Sequence, residues 1–181
     1  MAIHREKIIL VLVNIIGGVA VLGSYAWGIL TRTDAGALWG GVPESVMPLY
    51  SVSMFTAAAG YLAFTAYLLF GVDAGAARVA GRFGYRLFTW LYVLVLAPSA
   101  AWMPLTFAMI DDPSPWTWFA VRVVLFTVGA ASAGVTVSLA SLSPRSAPRA
   151  RGVAVAGSIL FCFQTLVLDA MVWTAFFPFR F

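Results

Sequence analysis

The sequence predicts an all-α integral membrane protein: a bundle of five transmembrane helices forming a single membrane domain over residues 1–181. Three observations lead there. Hydrophobic residues make up 62% of the chain and charged residues 10%, with a mean hydropathy of +0.94. A water-soluble domain is about 45–50% apolar and about 25% charged. So little charge cannot cover the surface of a soluble globule, and so much apolar surface excludes disorder. Five runs at 8–30, 49–70, 87–110, 118–142 and 153–177 each supply the roughly 20 apolar residues that cross a bilayer core as a helix. None of them alternates in the ten-residue blocks of a membrane β-barrel, so no strands are expected.

The first run, Ile8–Leu30, carries no charge and follows the sequence HREK. Its start resembles a signal peptide, but its 23 residues exceed the 7–15 of a cleavable apolar region, which makes it an anchor helix. Thr31–Pro48 is the longest link and holds Gly36, Gly40, Gly41, Pro43 and Pro48. Such residues stop helices by permitting left-handed backbone or by removing a donor. Leu49–Phe70 and Leu87–Ile110 are also uncharged and flank the basic link Gly71–Arg86. Asp111–Thr117 (DDPSPWT) reads as a solvated turn into Trp118–Leu142, which contains Arg122. SPRSAPRARG, from Ser143 to Gly152, leads into Val153–Phe177, which contains Asp169.

Orientation follows from the basic residues, which concentrate on the cytoplasmic side of membrane helices. Arg5, Lys7, Arg78, Arg82, Arg86, Arg145, Arg149 and Arg151 fall on one side, eight of eleven; Arg32, Arg122 and Arg180 fall toward the other. Met1 is therefore expected in the cytoplasm and Phe181 outside, in a membrane of the bacterial inner-membrane type. The net charge of +4 is placed for lipid headgroups rather than for nucleic acid.

Most catalytic chemistries are absent. The single His (His4) is terminal, the single Cys (Cys162) has no partner, and no Cys/His spacing suits a metal. No second acid, base or metal group accompanies Asp169, so no enzyme is expected and no intrinsic cofactor. Small residues recur every fourth position at Ala20, Ser24 and Gly28, at Ala130, Gly134 and Ser138, and at Ala154, Ser158 and Cys162. These stripes suit close helix packing.

The two charges inside the spans say more. Arg122 lies about 6 Å and Asp169 about 12 Å from the outer helix ends, at 1.5 Å per residue. An isolated charge in hydrocarbon costs at least a few kcal/mol, so a buried Arg122–Asp169 ion pair is one expectation. The alternative is an Arg122 that reaches the headgroups and a protonated Asp169. Six of the seven tryptophans, Trp27, Trp39, Trp102, Trp116, Trp118 and Trp173, fall in the outer half, with Trp90 alone near the inner end. An interfacial belt populates both faces, and Trp102 is too deep for one. Ordinary core packing explains any single ring; the gathering suggests an aromatic cavity of a few hundred Å³ open to the outer side.

Motifs add a resemblance. Leu168-Asp169-Ala170-Met171-Val172-Trp173 is similar to the L-N-x-x-x-W of the tryptophan-rich sensory protein/translocator protein family (TspO/MBR). Ser99, Trp102, Pro104 and Phe107 follow its N-x-x-W-x-P pattern and the aromatic after it, and Trp39, Pro43 and Pro48 echo its tryptophan- and proline-rich first loop. Asp169 and Ser99 stand where that family has Asn, and Arg122 where an acidic residue is common. The resemblance implies a dimeric receptor or translocator that binds a porphyrin, sterol or lipid under the first loop, with Trp39, Pro43, Trp102, Phe107 and Asp169 as ligand-binding residues. The competing reading is a non-catalytic accessory subunit of a larger respiratory or photosynthetic membrane complex, which suits the small size and short loops.

Overall fold

Five helices long and apolar enough to cross a membrane dominate the computed structural model, which describes residues 5–33 and 35–177. They are α1 (Arg5–Thr31), α2 (Met47–Gly71), α3 (Arg86–Asp111), α4 (Pro115–Ala140) and α5 (Pro148–Phe176). His4, Arg180, Met1 and Phe181 lie outside the described residues. Every expected run is a helix, and the boundary differences come from caps. α4 starts ahead of Trp118 because Ser114 closes a capping box: the Thr117 N–H donates to Ser114 Oγ at 3.2 Å, and the Ser114 N–H to Thr117 Oγ1 at 3.3 Å. Two otherwise orphaned donors are satisfied, and Pro115 fits the first turn, where no N–H is needed. Pro148 opens α5 in the same way.

The expectation of a strand-free chain needs one correction. β1 (Arg78–Val79) pairs antiparallel with β2 (Leu142–Ser143), in the register Arg78 with Ser143 and Val79 with Leu142. Two residues per strand are too few for an alternating pattern to be read in sequence. The ladder joins the second link to the fourth. Ser146 Oγ donates to the Gly71 carbonyl at 2.6 Å and the Tyr67 hydroxyl to the Ser146 carbonyl at 3.2 Å. Tyr85, Phe88, Ala77 and Leu142 are buried beneath it.

Packing runs α1 on α3, α3 on α4, α4 on α5, and α5 on α2. The short connections make α3, α4 and α5 successive neighbours, whereas the long first link sends α2 to the far side, against α5. α1 is the most exposed helix, with only Leu10 and Gly28 buried. Side-chain hydrogen bonds join helices as well: Tyr61 OH of α2 donates to Asn14 Oδ1 of α1 at 2.6 Å, Thr65 Oγ1 of α2 and Tyr92 OH of α3 share a bond of 2.7 Å, and Ser132 Oγ of α4 and Thr165 Oγ1 of α5 share another of 2.7 Å. Such bonds between apolar helices average only about 0.6 kcal/mol in lipid.

Close backbone approach adds dispersion contacts at short range. A Cβ at Gly60 would lie 2.3 Å from the Gly157 carbonyl oxygen, and one at Gly157 would lie 2.8 Å from the Gly60 Cα. α2 and α5 meet backbone to backbone at this point, and neither glycine belongs to a small-residue stripe read from the sequence. Of those stripes, Ala154 and Ser158 are fully buried, whereas Ala130 is exposed. Either Gly60→Ala or Gly157→Ala should force the helices apart and cost about 1–3 kcal/mol, the usual overpacking range. Gly18→Ala, where no atom lies within 4 Å of the new methyl, should leave the thermal unfolding temperature in detergent almost unchanged. An equal response at Gly18 and Gly157 would remove the special role of the contact.

Candidate functional site

The end of the bundle under the first link holds an interlocked aromatic cluster. Trp173 of α5 is 5% exposed and is its centre. Its ring centroid lies 5.8 Å from Trp102 of α3, 6.2 Å from Trp118 of α4 and 4.6 Å from Phe177. Trp102 also meets Tyr25 of α1 edge to face at 6.0 Å, and Trp39 meets Tyr50 of α2 at 5.9 Å. Offset and edge-on contacts at these distances are the favourable ones for rings with negative faces and positive edges. Trp173 Nε1 donates to the Leu38 carbonyl at 2.8 Å, which fastens the short 3-10 turn Ala35–Trp39 across the cluster. The Tyr50 hydroxyl donates to the Leu168 carbonyl at 2.6 Å.

Asp169, one turn below Trp173, pairs with a second polar side chain further down the same helix. Gln164 Nε2 donates to Asp169 Oδ1 at 2.7 Å. The spacing is informative, because in an α-helix residues five apart sit about 140° apart around the axis. Phe163–Trp173 is instead a π-helical stretch, whose i→i+5 register sets such residues nearly one above the other. The Asp169 carboxyl, partly buried, interacts electrostatically with the hydroxyls of Tyr25 and Tyr50. Trp102 Nε1 in the ring cluster and Gln164 Oε1, on the amide that donates to Asp169, are buried without a hydrogen-bond partner.

The expected site residues divide between two places. Trp39 and Trp102 pack into the same cluster with Leu168 and Trp173, the residues one before and four after Asp169 along α5. Phe107 does not join them. It is buried on the α1 side of α3, where Trp27 meets it at 6.3 Å and the Arg32 guanidinium sits 4.6 Å above its ring. Pro43 is exposed, and its carbonyl accepts from the Val46 N–H at 2.8 Å. The acidic turn is likewise more than solvated: Arg32 Nη1 donates to Asp111 Oδ2 at 2.9 Å, and Arg32 Nη2 pairs with Asp111 Oδ1, which joins the ends of α1 and α3.

The Arg122–Asp169 pair is corrected. Among the described residues no ion pair involves Asp169, and Arg122 lies exposed on α4. The buried face of α4 is formed by Val121, Leu125, Val128, Ser132 and Val135. Arg122 follows Val121 and is turned about 100° from it. Equal depth along neighbouring helices placed the two charges at one level but not on facing surfaces.

The cavity expected around Trp39, Trp102 and Asp169 is also occupied by interlocking rings. A groove of about 530 Å³ lies elsewhere, on the outward face between α3 and α4, lined by Leu91, Leu94, Val123, Phe126, Thr127 and Ala130. None of the five expected ligand-binding residues lines it. Sequence reasoning passed over Gln164, Tyr25 and Tyr50. Gln164 was open to discovery, since an amide in the middle of an apolar run needs a partner just as a charge does. No known family model, curated protein or solved structure matches this chain.

Proposed function

We propose that this chain is an integral membrane protein that binds a bulky hydrophobic molecule of the porphyrin or sterol type at the aromatic cluster beneath its first link, as the TspO/MBR resemblance implies. The observation that carries the reading is the pair of partnerless buried polar atoms, Trp102 Nε1 in the ring cluster and Gln164 Oε1 on the amide bonded to Asp169. Leaving one such atom unpaired costs about 1–3 kcal/mol. A ligand with an acceptor and a donor on an apolar body recovers that cost and brings the dispersion contacts that large rings favour. The Trp173–Leu38 bond and the lightly packed α1, which contributes Tyr25, are the parts whose displacement opens the cluster.

A neutral porphyrin diester added in mild detergent should quench tryptophan emission saturably. Trp102→Ala should weaken the apparent affinity severalfold, as loss of a central aromatic anchor does. Trp90→Ala, at the opposite end of α3, should leave the affinity unchanged. Equal loss in both variants would mean that the probe reports only partition into detergent.

The same reading places the ladder-bearing links, with Arg78, Arg82, Arg86, Arg145, Arg149 and Arg151, against the cytoplasmic leaflet. Sidedness reporters fused to the two ends should then give opposite signals, with the N-terminal one cytoplasmic. Matching signals would overturn the odd number of crossings.

The open groove between α3 and α4 favours the second reading, an accessory subunit whose partner helix lies against Leu94, Phe126 and Ala130. Purification in mild detergent should yield this chain without stoichiometric larger subunits if it acts as a self-contained receptor, alone or as a homodimer. Stoichiometric capture that is lost in Ala130→Trp would instead establish the subunit role.

A further inference from the structure

We infer that the molecule bound at the aromatic cluster carries a positively charged group, held by the Asp169 carboxylate at the ring cluster of Trp102, Trp173 and Tyr25; this rests on the ligand-binding reading above. Three independent features point to a cation. The first is charge balance. Among the described residues Asp169 has no ion-pair partner: Arg122 lies on the exposed face of α4, and Arg32 is engaged with Asp111 at the helix ends. A lone carboxyl in such surroundings carries its charge only when a counter-charge lies beside it, so a bound cation is the partner that suits its ionised form.

The second feature is an excess of acceptors. A carboxylate offers about four lone-pair sites, and the hydrogen bond that Asp169 receives comes from Gln164 Nε2. The amide that donates it has its own Oε1 buried and unpaired beside the carboxylate. The Tyr50 hydroxyl proton is committed to the Leu168 carbonyl, and the Tyr25 hydroxyl, the other one in electrostatic reach of the carboxyl, could fill only one of the remaining sites. Carboxylate and amide oxygens side by side match the several N–H donors of an ammonium group. They do not suit a free carboxylate or phosphate, which Asp169 repels.

The third feature is the rings. Trp102 contacts both Tyr25 and Trp173, and aromatic faces attract cations through their quadrupoles, most strongly for Trp. Trp102 Nε1, a buried donor without a partner, selects a neutral acceptor such as an ether or carbonyl oxygen near the charge. The class is therefore a hydrophobic amine, and the preference excludes porphyrins with free acid side chains.

The test compares 1-pyrenemethylamine with its uncharged counterpart 1-pyrenemethanol, read by energy transfer from tryptophan to pyrene in the purified full chain. The wild type should bind the amine about tenfold or more tightly than the alcohol, the order expected of a cation held by a carboxylate and ring faces away from water. Asp169→Asn should bring the two probes to within about twofold while the alcohol keeps its affinity. Asp169→Glu, which retains the charge, should keep the preference, and Gln164→Leu, which removes the spare acceptor, should reduce it; these two variants decide the matter if Asp169→Asn does not fold. Equal binding of both probes by the wild type would overturn the charge inference alone and leave the receptor reading standing. Absence of saturable transfer from either probe would overturn both. An amine preference that persists in Asp169→Asn would mean that the detergent surface, not Asp169, selects the amine.

Discussion

The contact between Gly60 and Gly157 is the constraint on which the rest of the molecule depends. With two hydrogens where side chains would stand, the α2 and α5 backbones approach until one carbonyl oxygen occupies the space of the other residue's absent Cβ. Helices this apolar gain little from excluding water from one another, so dispersion at short range and the occasional hydrogen bond must hold them. On one side of the contact, the approach sets the Tyr50 hydroxyl against the Leu168 carbonyl. On the other, it sets Tyr61 and Phe64 of α2 against Phe161 of α5. The cluster end of α5 is therefore positioned from α2, although 118 residues separate Tyr50 from Leu168.

From that anchor the two ends of the bundle are organised differently. At the basic end, backbone and loop groups close the structure: the two-residue ladder, the Ser146–Gly71 bond, and Lys7 Nζ donating to the Leu69 carbonyl at 2.7 Å. Few polar groups are left without partners there, though Arg151 Nε is one. At the other end, rings fill the space and the polar groups are less well served. Each orphaned atom beside the rings is a contact that a ligand can complete.

The π-helical stretch links the frame to that capacity. Running from Phe163 to Trp173, it starts immediately after the α-helical part of α5 that bears Gly157. Its wider register lets Gln164 bond Asp169 along one face while Leu168 and Trp173 remain buried against the bundle. An α-helix continued through the same residues would point the amide and the carboxyl to different faces. Runs of this kind recur where a helix has a task beyond packing. Here the combination of a carboxylate, a spare amide oxygen and tryptophan faces is one that plain α-helical geometry would disperse.

The sequence by itself determined the five helices and nearly all their limits, because length, hydropathy and the Pro or Gly that ends a run are local properties. It also marked the aromatic end, since six of the seven tryptophans lie near it, and it put Trp39 and Trp102 there, in the cluster they share. Only the tertiary structure decided which surfaces meet. The Gly60–Gly157 contact joins residues that no periodic stripe singles out. Phe107 sits at the expected level of α3 yet turns toward Arg32 of α1, and Arg122 shares its half of the bundle with Asp169 yet looks outward. The reason is rotational. Position in sequence gives depth along a helix at 1.5 Å per residue, whereas the direction a side chain faces changes by about 100° at every step, and it is set by which neighbour packs against which face and by whether the helix keeps its α register.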